Sequence, residues 1–370
     1  MRIVKREDVS KRETVIVKVL SIVLALIVAG VFLKVLDYDP MTVFMGMIKG
    51  AFGSKGKITQ TIIYAIPLII TAIGISIAFK MQFWNIGGDG QILMGAFGAA
   101  LVALNMGSMP KVVLLILMAI VAMICAGIWA FIAAVLKTKF NTNETIITLM
   151  LNYIALKFIT FLQYDLWRDK AAMGFPKIAN FPKNAVLPQL FGVHIGWIIA
   201  LVLIGVFYII MKHSKLGYEI SVLGESENTA KYAGINIKKT IIKAIFISGA
   251  LCGLTGFIQA SAVSGTLSIE VTGGVGYTAI IVAWLSNLNS IIIGLVSILF
   301  AGLTQGGSYI QTAYGVPNSA ALVIQALILF SVLGSEFFTK YKLLFRDKNV
   351  IKEKDIERVV EKEIVTGGER

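Results

Sequence analysis

The chain is poor in the side chains that carry chemistry. Of its 370 residues only 2 are histidine and 2 are cysteine, and 21 acidic residues face 34 basic ones. Cys125 and Cys252 both lie inside apolar runs, so there is no disulfide framework and no metal-ligand spacing. His194 and His213 stand at the ends of apolar runs, and neither has a cysteine or a second histidine near it in sequence. HExxH and GxSxG are missing, and nothing supports metal-dependent or Ser/His/Asp hydrolysis. Residues 53–57 look like the end of a phosphate-binding loop, but Ala51 occupies the place of its first glycine and Ile58 that of its hydroxyl. ATP hydrolysis by that route is excluded, and no cofactor is expected on this chain.

Charged residues make up only 15% of the sequence and apolar ones 57%, against about 45–50% apolar in soluble domains. With a mean hydropathy of +0.82, this composition describes an all-α polytopic membrane protein. The net charge of +13 sits at the ends and in connections. Arg2, Lys5, Arg6, Lys11 and Arg12 precede the first apolar run. Lys212, Lys215, Lys231, Lys238, Lys239 and Lys243 surround one connection, and Lys340, Lys342, Arg346 and Lys348 follow the last run. That distribution follows the positive-inside rule. It builds no groove that would track phosphates, so no nucleic acid polymer is expected as a partner.

Apolar runs fall near residues 15–36, 59–79, 88–105, 112–136, 145–163, 196–211, 241–262, 277–288, 290–305 and 319–335. The first is long enough to span a bilayer and no small-residue cleavage site follows it, so it reads as a retained helix. Runs 88–105, 277–288 and 290–305 are short for a span and read as half-helices or re-entrant pieces. The expectation is about ten transmembrane or partly re-entrant helices with both termini inside. The divisions are a cytoplasmic segment 1–14, a transmembrane domain 15–339 and a charged cytoplasmic tail 340–370. Lys49, Lys55 and Lys57 break the charge rule between the first two runs, as do Arg168, Lys170, Lys177 and Lys183 in the proline-containing loop 164–192.

Residues 83–100, FWNIGGDGQILMGAFGAA, set a glycine-rich polar break in nearly unbroken apolar sequence. Asn85, Asp89 and Gln91 carry groups that hydrocarbon cannot satisfy, and such backbone persists at membrane depth only inside protein or beside water. Interrupted helices of this kind mark substrate sites in transporters; the alternative is an ordinary turn between two spans. Residues 212–240 form the longest strongly polar connection. There a short helix over 229–233, ended by Gly234, is expected to gather Ala230, Tyr232, Ala233 and Ile235 into an apolar face for a soluble partner. The alternative is a solvated loop. Few ionisable residues lie within or near the apolar runs: Lys80, Asp89, Glu144 and Lys157. Asp89 and Glu144 both fall near expected helix ends, where water is close, which speaks against proton coupling.

Four stretches carry a family resemblance: FWNIGGDGQ (83–91), NETIITLMLNY (143–153), GESEN (224–228) through AGI (233–235) with SGALCGLTG (248–256), and GYTAIIVAWL (276–285). Spanning about residues 60–335, they resemble the permease subunits of bacterial ATP-binding-cassette importers for nucleosides, within the superfamily of sugar and branched-chain amino acid permeases. The second stretch is the most diagnostic of the nucleoside branch; where the superfamily commonly has glutamate, this chain has Asp89. The resemblance implies a multi-pass protein of the bacterial cell membrane that imports nucleosides of the purine type. The alternatives are a sugar or branched-chain amino acid permease, or an ion-coupled secondary transporter. It also implies a cytoplasmic ATPase that hydrolyses the ATP, a second, homologous permease subunit and an extracellular substrate-binding lipoprotein, besides membrane lipid. Trp84, Tyr277 and Trp284 are expected to stack on a base, and Asn85, Asp89, Gln91, Asn152 and Asn287 to line the substrate pathway. Gly224, Glu225, Glu227, Asn228, Ala230, Tyr232 and Gly234 are then the surface that docks on the ATPase.

Overall fold

The computed structural model describes residues 2–5, 11–170 and 172–344; Arg6 and the alternating charges of residues 345–370 lie outside these. The chain divides into two compact units, Met1–Pro40 with Leu322–Arg370, and Met41–Ala321. In the first, strand β1 (Arg2–Lys5) pairs antiparallel with a strand at Tyr341–Leu344, and helix α1 (Lys11–Val35) follows. The second holds α2 (Pro40–Phe52, all but its first residue), α3 (Lys55–Lys80), α4 (Gly88–Asn105), α5 (Lys111–Phe140), α6 (Glu144–Phe161) and α7 (Gly196–His213). It continues with α8 (Lys215–Glu225), α9 (Glu227–Tyr232), α10 (Ile237–Ile258), α11 (Val275–Leu285) and α12 (Ser290–Tyr314). Helix α13 (Asn318–Lys340) begins in the second unit and ends in the first.

Among the described residues six helices, α3, α5, α6, α7, α10 and α12, are long and apolar enough to cross a membrane, and up to seven if α1 and α2 count as one broken span. The polytopic helical architecture expected from the sequence is present, and the remaining apolar helices, such as α4 and α11, are shorter or less apolar than a full span requires. Helix α11 has 11 residues, about 16 Å of rise against a hydrocarbon core of about 30 Å. Residues 290–305, expected as a half-helix, instead open the 25-residue α12. The glycines and polar residues near 304–308 interrupt the apolar run but not the helix, because Gly306 packs so closely on α2 that an added Cβ would stand 2.7 Å from the Met47 carbonyl oxygen. Packing overrides propensity there.

Residues 40–52, read from sequence as a connection, form α2, with Val43, Gly46, Met47, Gly50 and Ala51 buried along one stripe. This also accounts for one breach of the charge rule. Lys57 lies in the first turn of α3 with Nζ 3.8 Å from the centre of the Tyr309 ring, so an aromatic face receives its charge.

Burial grades the spans. The apolar window of α3 is 78% buried and that of α10 67%, whereas α7 reaches 17%, so α3 and α10 form the core and α7 turns most of its surface outward. Helices α4, α5 and α10 approach through small residues: Gly95 faces Gly253, and Gly249 and Gly253 face Ala126 and Ala122. Without a hydrophobic drive inside lipid, such backbone proximity is what membrane helices use to hold together.

The proline-containing connection between α6 and α7 carries a π turn at Leu162–Leu166, a 3-10 turn at Lys183–Ala185 and a hairpin of β2 (Gln189–Leu190) and β3 (Val193–His194). Its two-residue turn, Phe191–Gly192, has φ of 58° and 85°, the left-handed pair that tight hairpins favour. Helices α8 and α9 mark the opposite, basic end of this unit, where α3, α5 and α7 finish and α10 starts.

Candidate functional site

The break between α3 and α4 is built on hydrogen bonds to its own side chains. Lys80 ends α3, and Gln82 at φ 62° turns the chain back. Asn85, fully buried, then clamps the loop. Its Oδ1 accepts from the Gly87 amide (3.1 Å) and from Gln91 Nε2 (3.0 Å), while its Nδ2 donates to Gln91 Oε1 (3.3 Å) and Ser248 Oγ (3.2 Å). Helix α6 supplies the second brace. The Ile86 amide donates to Thr148 Oγ1 (3.1 Å), Asn152 Nδ2 donates to the Ile86 carbonyl (2.9 Å), and the Gly90 amide donates to Asn152 Oδ1 (2.8 Å). The Asn85, Gln91 and Asn152 side chains and the Ile86 backbone, which hydrocarbon would leave bare, thus have protein partners.

This brace lies well inside the bundle. Asn152 is the ninth residue of α6, about 12 Å from its start, and Ser248 sits about 16 Å along α10. Asp89 therefore stands at a helix end that is not a bundle end, and the residue is half-buried there. Its Oδ1 accepts from the Gly276 amide at 2.7 Å and its Oδ2 from Thr272 Oγ1 at 3.4 Å. Gly276 lies in the first turn of α11 and Asp89 in the first turn of α4. One carboxylate thus stands between two helix N-termini, whose unpaired amides and dipoles favour negative charge. Glu144, by contrast, is at the basic end, 2.9 Å from Lys137 Nζ.

Tyr277 completes the interior cluster. Its hydroxyl accepts from Asn152 Nδ2 at 3.3 Å, and the residue is 42% exposed. About 10 Å along α11 toward the basic end, Trp284 stacks on Trp84 with ring centres 5.4 Å apart, and Phe79 tilts against both at 5.8 and 5.5 Å. This aromatic group faces a recess of ≈ 180 Å³ bounded also by Lys80, Gln82 and Leu288. Asn287 follows in the turn after α11, its amide donating to the Trp284 carbonyl at 2.9 Å, and it and Leu288 adopt φ of 47° and 58°.

The structure thus gathers Asp89, Asn152 and Tyr277 in one group, Asn85 and Gln91 in a second, and Trp84 and Trp284 in a third. It adds Thr148, Ser248, Thr272, Gly276 and Phe79, which the sequence reading passed over. Thr148 had a signal: Glu144, Thr148 and Asn152 recur every four residues on one helix face. Gly276 opens the GYTAIIVAWL stretch, whereas Thr272 had no signal, and the role of both depends on where α11 begins.

At the basic end the expected single helix is two. Helix α8 buries Gly217, Ile220 and Leu223 and is capped by Ser214; Ser226 caps α9. Gly224 meets the end of α3 so closely that a Cβ there would overlap the Lys80 carbonyl oxygen. The apolar face expected over 230–235 is corrected. Ala230 is buried but Tyr232, two residues or about 200° farther round the helix, is 93% exposed. Glu227 pairs with Lys231 across 3.6 Å, Asn228 is exposed beside them, and Gly234 closes α9 at φ 72°. A cleft of ≈ 690 Å³ runs beside this segment, lined by Lys137, Lys139, Lys238, Glu144, Glu225 and Glu227 among others.

At the far end, His194 is buried at 3% exposure with neither ring nitrogen hydrogen-bonded among the described residues. Burial pushes its pKa down to about 4.

Residues 57–333 match the family described as "Branched-chain amino acid transport system / permease component". The chain is 32% identical to the glucose ABC transporter permease protein TsgB13 of Haloferax volcanii, over 88% of each chain. It is 29% identical to the nucleoside ABC transporter permease protein NupB of Lactococcus lactis, covering 87% of this chain and 92% of that protein. With the guanosine ABC transporter permease protein NupP of Bacillus subtilis it shares 28% identity over 88% of this chain and 95% of the relative.

Proposed function

We propose that this chain, which belongs to the permease family of branched-chain amino acid transport systems, carries nucleosides of the purine type into the cell. As an ABC transporter permease it is a multi-pass protein of the cell membrane and a transport component rather than an enzyme, working with an ATPase. An ion-coupled carrier would not belong to this family.

The observation that carries the substrate reading is the interior group of Asp89, Asn152 and Tyr277. A nucleoside presents a π face, hydrogen-bonding base edges and ribose hydroxyls. Tyr277 offers a half-exposed ring beside Asp89, and Asn152 holds that ring's hydroxyl. Trp84 and Trp284 provide a second stacking surface toward the basic end. Two relatives that align over most of their length are named for nucleosides or guanosine. The sugar alternative rests on one specific observation, the 32% identity to a glucose permease.

In this reading α8 and α9 dock on the ATPase, a second, homologous permease subunit completes the pathway, and an extracellular substrate-binding lipoprotein delivers substrate. The chain binds no cofactor, and ATP is hydrolysed by the partner. Uptake of labelled guanosine by cells with and without the gene tests the substrate. Loss of uptake on deletion, with competition by unlabelled guanosine but not by glucose or leucine, is the expected result; competition by glucose alone would move the substrate to the sugar branch.

A further inference from the structure

A groove of ≈ 460 Å³ runs between α5, α8 and α10 at the basic end, a volume usual for ligand sites. Ile128 and Phe131 of α5, Leu216 of α8, and Ile242, Phe246 and Ile247 of α10 line it. The remaining lining residue is Lys243, exposed on the rim. Helix α10 runs inward from the basic end, so Lys239, Lys243 and then Phe246 and Ile247 come in that order along it. Cation first and apolar floor beyond is the layout of a phospholipid, with its phosphate at the interface and an acyl chain below.

The charges around the rim favour one class of headgroup. Lys239 and Lys243 form no ion pair among the described residues. Lys212 and Lys215 lie at the junction of α7 and α8, beside Leu216; Lys212 Nζ bonds the Tyr208 hydroxyl at 2.7 Å. Of the two acids on α8, Glu219 is already engaged, accepting from Thr240 Oγ1 at 2.9 Å and lying 3.9 Å from Lys215 Nζ, and Glu225 borders the separate cleft beside the end of α3. Neither acid lines the groove, whose one charged lining residue is Lys243. A zwitterionic headgroup has its own cation and gains little there, whereas a net anionic phosphodiester gains from each lysine.

We propose that this groove is a binding site for an anionic phospholipid of the leaflet at the basic end, with an acyl chain along Ile128 and Phe246 and the phosphate at Lys243 and Lys239. The site is independent of the transported substrate. It anchors α8, and so the segment beside the end of α3, to the membrane surface.

The test uses the full chain in mixed micelles of an uncharged detergent with palmitoyl-oleoyl phosphatidylglycerol or the matching phosphatidylcholine. Retained lipid is read by native mass spectrometry, and folding by thermal melting. Phosphatidylglycerol should be retained selectively. Lys243→Gln and Lys239→Gln should each lower its retention about fivefold, Lys243→Arg should restore it, and Ile128→Trp, which fills the groove, should reduce retention of both lipids. Equal retention of the two lipids by the unmodified chain would overturn the proposal, and so would an unchanged preference in a Lys239→Gln/Lys243→Gln variant that melts as the original does. Cross-linking of Ile128→Cys to a second permease chain would show that protein covers the groove, and would overturn it as well.

Discussion

Asp89 is held by two neutral donors and two helix ends, not by a cation, and that decides what its replacement does. Asparagine keeps an oxygen for the Gly276 amide and loses only the charge, whose interaction with helix termini is worth about 0.3–2 kcal/mol. Asp89→Asn should therefore lower nucleoside uptake by less than about thirtyfold, while Asp89→Leu, which strands the amide, should bring it to background. If Asn proved as damaging as Leu, the carboxylate would be acting through its charge or its proton. His194 gives the second prediction at this scale. The folded chain resists protonating it down to about pH 4, whereas an unfolded chain binds that proton below its ordinary value of 6.5. The stability its burial contributes is then present above pH 6.5 and is lost as pH falls toward 4. Melting temperature should drop between pH 7 and pH 5 in the original protein and drop less in His194→Leu; parallel curves would remove His194 from that account.

Helices α4 and α11 owe their junction to close backbone approach. A Cβ at Gly276 would lie 2.3 Å from the Asp89 amide nitrogen, so Gly276→Ala must push α11 away from α4. Overpacking of this kind costs about 1–3 kcal/mol. Uptake should fall sharply in that variant and hold in Gly205→Ala, because Gly205 on the exposed face of α7 has nothing within 4 Å of an added Cβ. Equal tolerance would show that the α4–α11 contact is dispensable. On the surface proposed to dock on the ATPase, Glu225 and Glu227 border the same cleft, and Gly224 beside them rests on the end of α3. Glu225→Lys with Glu227→Lys should uncouple transport from ATP hydrolysis while the permease still reaches the membrane. Substrate-stimulated ATPase activity at the original level in the double variant would detach this surface from the ATPase.

A permease of this family takes its energy from another chain. Reconstituted alone in vesicles, it should not accumulate nucleoside under an imposed pH or sodium gradient. With the ATPase, the proposed second permease and binding protein, and ATP, accumulation should appear and persist after the gradient is collapsed. Gradient-driven accumulation by this chain alone would return the ion-coupled reading.

Class, family and the place of the break were legible in the residues, because each rests on short-range chemistry. Apolar length reports a span, FWNIGGDG cannot remain in hydrocarbon unbraced, and NETIITLMLNY is specific as a string. Tertiary structure decided the rest. Asp89 lies near the end of an apolar run, yet that end sits deep in the bundle, since the preceding loop climbs beside α6 and α10 before α4 begins. Residues 290–305 ended at glycines that read as a stop, and α2 turned those glycines into contacts. Tyr232 was grouped with Ala230 by composition, while the helix turn set them on different faces. A linear pattern records which groups need partners; which partners they find depends on neighbours as distant in sequence as Asp89 and Gly276.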